Sequence, residues 1–208
     1  MIFEKIDGIA LSNYRGIGPN TQRLAFCKQI NLIIGANNSG KSAFLTFISK
    51  QLGGFSPVHP NYSIRGSTDR LSSLDVHLGA LKTDVRFSLG IDVEKVRAYW
   101  TQKLERVSAS KYDKEHTIEA ALDAVSSEGH VWLNFNATTH QLIDLIGHPT
   151  WKTQKSNTAA TGFSWLWHSL HPGSSGGSYE TWVTEVVVDL MNCIKLPQTS
   201  LIPAMFGG

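Results

Sequence analysis

The chain has 208 residues, 41% of them hydrophobic and 17% charged, with 19 Lys and Arg against 17 Asp and Glu for a net charge of +2. That length and apolar content suit one well-buried domain and exclude a wholly disordered chain. The even charge balance excludes a molecule-wide basic surface of the kind that binds nucleic acid by charge alone, while leaving room for a local patch.

In chain order, Met1-Ile2-Phe3-Glu4-Lys5-Ile6-Asp7 places charges where a signal peptide needs an apolar run. An apolar-rich run over residues 2–11 ends at Ala10-Leu11 and gives way to a turn punctuated by Gly16, Gly18 and Pro19. Residues 22–27 read as a short strand. Ile30-Asn31-Leu32-Ile33-Ile34 is a β-branched run stopping at Gly35, the pattern of a strand buried on both faces. Residues 42–52 carry apolar side chains at helical spacing and stop at Gly53-Gly54. Residues 53–73 are expected to be a long loop, 74–78 and 85–91 strands, 93–107 and 115–126 amphipathic helices, and 131–136 another strand. Residues 147–178 are expected to be irregular, 179–195 helical, and 199–202 a last short strand. No run approaches the roughly 18–20 apolar residues of a membrane span. The two cysteines, Cys27 and Cys193, follow no metal-ligand spacing. The expected setting is therefore the reducing cytoplasm, with no membrane partner. The order of elements argues for an α/β domain around a central sheet.

Gly35-Ala36-Asn37-Asn38-Ser39-Gly40-Lys41-Ser42 satisfies the whole G-x-x-x-x-G-K-[ST] pattern, between a predicted strand and a predicted helix. Each part has a physical task. Gly35 and Gly40 let the backbone turn and approach phosphate oxygens without a Cβ clash. Successive N–H groups make an anion nest, reinforced by the helix N-terminus that follows. Lys41 neutralises charge on the β- and γ-phosphates, and the Ser42 hydroxyl is suited to Mg²⁺. The ligands expected here are ATP and Mg²⁺.

Leu11-Ser12-Asn13-Tyr14-Arg15-Gly16-Ile17-Gly18, followed by the run from Ile30 through Ser42, resembles the start of an ABC-type ATPase head of the RecF-like, SMC-like and OLD-like group, an AAA-type set of P-loop ATPases. The resemblance covers residues 9–52. It implies a P-loop NTPase fold, an ABC-ATPase-like lobe with a mixed central sheet and an antiparallel β subdomain. It also implies that Arg15 lies beside the nucleotide, on phosphate or base, where its loss would cost affinity and no stability. It implies a nucleotide-switched homodimer or higher homo-oligomer acting in DNA repair or in prokaryotic defence against phage. DNA and an effector protein, a nuclease or toxin, are the further partners it admits. A standalone small P-loop NTPase or kinase, and a nucleotide-sensing scaffold that recruits an effector, are alternative readings of the same loop.

The group's later motifs do not fit this sequence. Gly173-Ser174-Ser175-Gly176-Gly177-Ser178 and Val186-Val187-Val188-Asp189 imitate a signature and a Walker B run. They stand too close together for the helix and strand required between them, and Leu190 occupies the place of the catalytic Glu. The expectation is an N-terminal ATPase portion, spanning residues 1–208, whose hydrolytic machinery is incomplete alone and whose catalytic residues are unknown. Gln141 and Gln198 are candidates for a metal-contacting glutamine, with an ordinary surface role the simpler reading. His168 and His171 share a spacing but no carboxylate or Cys partner, so a metal site is not expected. Trp165 and Trp167 are expected to pack.

Overall fold

In the computed structural model, which describes residues 6–25, 32–36, 40–52, 71–107, 113–145, 157–174 and 179–192, the sheet is organised around β1 (Gly8–Ser12). β1 is buried along its whole length because both of its edges are paired, with β2 (Gln22–Leu24) on one side and β3 (Arg86–Asp92) on the other. β3 pairs with β5 (His130–Asn136), whose far edge carries β4 (Ser126–Ser127) at one end and β6 (Leu142–Leu145) at the other. The order is β2-β1-β3-β5-β4, and every pairing among the described residues is antiparallel. β4 and β5 are joined at Glu128 and Gly129, with φ of 53° and 73°, the left-handed pair that a tight hairpin turn requires.

Register sorts the side chains into two faces. Ile9, Leu11, Phe87, Leu89, Ile91, Val131, Leu133 and Phe135 share one face and form the core with the helices. On the other face Trp132 lies over two glycines. A Cβ at Gly8 would stand 2.7 Å from Trp132 Cη2, and one at Gly90 would stand 2.9 Å from Cζ3. The Arg23 guanidinium caps the same ring, 5.4 Å from its centroid. Gly90→Ala is therefore expected to destabilise the fold by about 1–3 kcal/mol through overpacking. Gly16→Ala, where an added Cβ meets nothing within 4 Å, is expected to be near neutral. Urea unfolding of the two variants side by side checks this.

The helices follow the sequence pattern. α1 (Lys41–Lys50) turns Ala43, Phe44 and Phe47 into the core. α2 (Val93–Glu105) begins at Asp92, whose carboxylate accepts from Glu94 N at 2.8 Å. α3 (Lys114–Val125) begins at Asp113, which accepts from His116 N at 2.7 Å. Arg97 of α2 reaches Glu119 of α3 through Nε and Nη2 at 2.6 and 2.9 Å. No helix among the described residues is long and apolar enough to cross a membrane.

Three expectations need correction. Residues 32–34 form no strand, and Leu32 and Ile34 are 84% and 82% exposed. A strand exists by pairing, and β1, the nearest candidate neighbour in sequence, has both edges taken. The run 74–78 is not a strand either. Ser73–Asp75 makes a 3₁₀ turn, and only Val76 bridges, to Tyr14. Within the segment read as irregular, Asn157–Leu170 is a helix, α4, packed against α3 and against α5 (Tyr179–Asn192). Its Ser, Thr and Gly content argues against a helix locally, but burial of Leu166 and Trp167 overrides propensity. Residues 26–31, 37–39, 53–70 and 193–208, which include the expected end of the 22–27 strand, most of the long loop, Gln198 and the 199–202 strand, lie outside the described residues.

Candidate functional site

The site forms where β1, the turn after it and α1 converge. Gly40 caps α1 with φ +83° and ψ −2°, a left-handed conformation that glycine adopts without strain. It is also crowded. A Cβ there would meet Gln22 Oε1 and Ile17 Cγ1, each at 3.2 Å. Two neighbouring segments thus press the loop's end into position, and the exposed Gln22 carboxamide is brought to the α1 N-terminus. Among the described residues no side chain caps that terminus, and its first turn carries no acidic residue. The positive end of the helix is left for an external anion.

Lys41 folds back over the loop. Its ammonium donates to the Gly35 carbonyl at 2.6 Å and to the Ala36 carbonyl. Ser42 is exposed one residue further on. Of the predicted loop, Gly35, Ala36, Gly40, Lys41 and Ser42 are placed, while Asn37, Asn38 and Ser39 lie outside the described residues.

Arg15 reaches α1 one turn beyond Ser42, at Thr46. It follows β1 in a turn where Asn13 and Arg15 take φ of 56° and 50°, uncommon for residues other than glycine. Its guanidinium donates from Nε and Nη2 to Asp75 Oδ1 at 2.9 and 2.8 Å, while Nη1 lies 3.5 Å from Thr46 Oγ1 on α1. Burial works against both charges, but the pairing prevails. The guanidinium is held more firmly protonated than usual by Asp75. The Asp75 carboxyl is held below its ordinary range by the Ser72 backbone, Arg15 and the Ser72 hydroxyl. Because the folded value is depressed, this contribution to stability is present above the ordinary carboxylate pKa and lost as pH falls below it. The Tyr14 phenol, buried and facing Asp75, is pushed up to about 12 and stays neutral.

Asp75, Ser72 and Gln22 did not stand out in the sequence. The Ser72-x-x-Asp75 spacing carries a capping-box signal, and in the structure Asp75 Oδ2 accepts from Ser72 N and Oγ, both at 2.9 Å. Other candidates lie elsewhere. Gln141 sits in the turn between β5 and β6, where its carbonyl accepts from Asn136 N. Asp189 lies on α5, accepting from Tyr99 Oη at 2.8 Å and from Lys103, while Val186 and Val187 are buried, so the Walker B likeness is the inner face of a helix. His168 and His171 donate from Nδ1 to carbonyls within α4, and the His171 ring stacks on Trp167. Trp167 packs, its Nε1 donating to Glu185 Oε2 at 2.6 Å.

Gly40 in a left-handed conformation before α1, with Lys41 folded back onto Gly35 and Ala36, accompanies a residue pattern that matches a P-loop. The chain belongs to the AAA domain family AAA_23, which matches residues 9–146, a span that takes in Arg15, the P-loop, Asp75 and the sheet. The expected class, an AAA-type P-loop ATPase head, is therefore established. No curated protein matches the chain. Among solved structures it is similar to one described as "Structural biochemistry of ATP-driven dimerization and DNA stimulated activation of SMC ATPases", at 15% identity over 77% of this chain and 78% of that one, with a TM-score of 0.31.

Proposed function

We propose that the chain binds ATP with Mg²⁺ at residues 35–42 and acts as a nucleotide-switched homodimer or higher homo-oligomer in the cytoplasm. The observation that carries this reading is the unneutralised α1 N-terminus beneath Gly40, with Lys41 lying over Gly35 and Ala36. Lys41 exchanges two neutral carbonyls for phosphate oxygens, a gain in charge-assisted bonding. The N–H groups of the first turn of α1 hold the phosphates. The Ser42 hydroxyl is suited to hold Mg²⁺, which screens charge between the terminal phosphates. Arg15 supplies a further donor to the nucleotide. DNA repair or defence against phage is the setting we favour, with DNA or an effector nuclease or toxin as partner, on the motif resemblance over residues 9–52.

The test is calorimetric titration of Mg-ATP into the chain, with light scattering before and after saturation. Binding with an increase in mass is the expected result. Binding without it rejects the dimer switch and leaves the nucleotide site standing. Arg15→Ala is expected to lower affinity about tenfold, or about 1.4 kcal/mol. Its unfolding midpoint falls as well, because the buried Asp75 carboxylate loses its cation. That fall corrects the expectation that losing Arg15 costs affinity and no stability. An unchanged affinity removes Arg15 from the site.

A further inference from the structure

We propose that Asp75 is a positioning residue for nucleotide binding, aiming the Arg15 guanidinium along α1 at the nucleoside end of the ligand. The proposal rests on the reading that residues 35–42 hold a nucleoside triphosphate.

The geometry is that of an aimed group. One edge of the planar guanidinium, Nε and Nη2, is spent on Asp75 Oδ1. A planar fork held along one edge has its third nitrogen fixed in direction. That nitrogen, Nη1, points toward α1, and its one contact there, to Thr46 Oγ1 at 3.5 Å, is at the limit of a hydrogen bond. The donor is thus oriented but weakly engaged. Arg15 is the more exposed partner, with its side chain 34% exposed against 8% for Asp75.

Asp75 is itself immobilised. Oδ2 accepts from Ser72 N and Oγ, and Tyr14 Oη stands 3.4 Å from Oδ1. The two segments are also tied by backbone. Arg15 N donates to Asp75 O at 3.0 Å, His77 N donates to Asn13 O at 2.9 Å, and His77 Nδ1 donates to Arg15 O at 2.8 Å. These bonds hold Arg15 at φ 50°, where a residue other than glycine stays only when its surroundings require it. Fixing a rotamer-rich arginine before binding lowers the entropy lost when ligand arrives.

The position along the helix selects the part of the ligand. Thr46 follows Ser42 by four residues, so both lie on one face of α1, about 6 Å apart along the axis. On the P-loop reading the phosphates take the α1 N-terminus at Gly40. With the phosphates taken by the α1 N-terminus, the nucleoside is the part of the ligand we assign to a donor held one turn further along the helix.

The experiment is a double-mutant cycle on nucleotide affinity, using wild type, Asp75→Asn, Arg15→Ala and the double variant, at a temperature well below every unfolding midpoint. Mg-ATP, Mg-ADP and inorganic tripolyphosphate are the probes. Asp75→Asn is expected to weaken ATP and ADP alike by about tenfold, with no further loss in the Arg15→Ala background and no effect on tripolyphosphate. A purely structural role for Asp75 would persist when Arg15 is absent. Additive losses, an unchanged affinity, or a loss confined to ATP each overturn the proposal. Ser72→Ala, which removes one of the bonds on Oδ2, is the milder variant should Asp75→Asn not fold, with an expected loss of about two- to threefold. The same three outcomes, read with Ser72→Ala, overturn the proposal. Lys41→Ala separates the two readings. If wild type does not bind ATP, or Lys41→Ala binds as wild type does, the P-loop reading itself fails. If Lys41→Ala loses binding while the Asp75 variant keeps it, only the positioning role fails.

Discussion

Lys41→Ala is expected to abolish measurable Mg-ATP binding while leaving the unfolding midpoint nearly unchanged. The two halves of that result have separate causes. In the free protein the ammonium bonds to the Gly35 and Ala36 carbonyls in an exposed position, and water replaces it there when it is removed. The fold therefore loses little. In the complex the same ammonium faces phosphate charge above a helix terminus that has no other cation in its first turn. A charge-assisted hydrogen bond contributes about 1.5–3 kcal/mol, and Lys41 can make more than one. A loss of about 4 kcal/mol is about a thousandfold in affinity, enough to remove the calorimetric signal. Ser42→Ala is expected to act differently, reducing the dependence on Mg²⁺ more than the binding of nucleotide itself. Tight Mg-ATP binding by Lys41→Ala would sink the P-loop assignment.

What the sequence made legible was whatever is written locally. The P-loop is eight consecutive residues whose types answer to backbone geometry and charge, and it was legible as a pattern before any fold was known. The strands at 85–91 and 131–136 were legible because apolar side chains recur at every second residue, but the half-exposed strand this period implied at 85–91 is buried on both faces, from Phe87 through Ile91. The run at 30–34 misled because apolar, β-branched composition signals burial but does not name a pairing partner. Among the described residues 32–34 have none of the ladder bonds a strand needs. α4 was hidden by its Ser, Thr and Gly content. Its helix is sustained by α3 and α5, so the signal lay in residues far along the chain. Asp75 was hidden for the same reason, since its partner Arg15 is 60 residues away in sequence. Local periodicity carries no information about such a pair. A capping-box spacing was the one local trace of it, and that trace names a turn rather than a site.

Phe47→Ala is expected to have the largest effect on stability, and through stability on binding. Phe47 is 1% exposed and joins three layers of the site. Its ring meets Tyr14 edge-on at 5.2 Å, beside Arg15, and Phe87 of β3 at 5.1 Å. Phe87 in turn stacks on Phe135 of β5 at 5.3 Å. Removing the ring leaves a cavity between α1, the turn at Tyr14 and β3, which cannot all collapse into it, so a cost of about 3–5 kcal/mol is expected. Against a typical domain stability of about 5–15 kcal/mol, that is a large share of the whole. Leu45→Ala is the control, since Leu45 lies on the same helix at 47% exposure, and a change within about 0.5 kcal/mol is expected there. The same contact orients α1, and hence the N–H groups at Gly40 that face the phosphates. Mg-ATP affinity should therefore fall in Phe47→Ala even where the protein remains folded. Because ligand binds only the folded form, nucleotide at about a hundred times its dissociation constant should restore about 2.7 kcal/mol. Urea unfolding with and without Mg-ATP reads both effects in one experiment. A loss under about 1 kcal/mol would show that α1 is held by something other than this aromatic stack, and a variant whose stability no longer responds to nucleotide would show that the α1 N-terminus has lost its orientation.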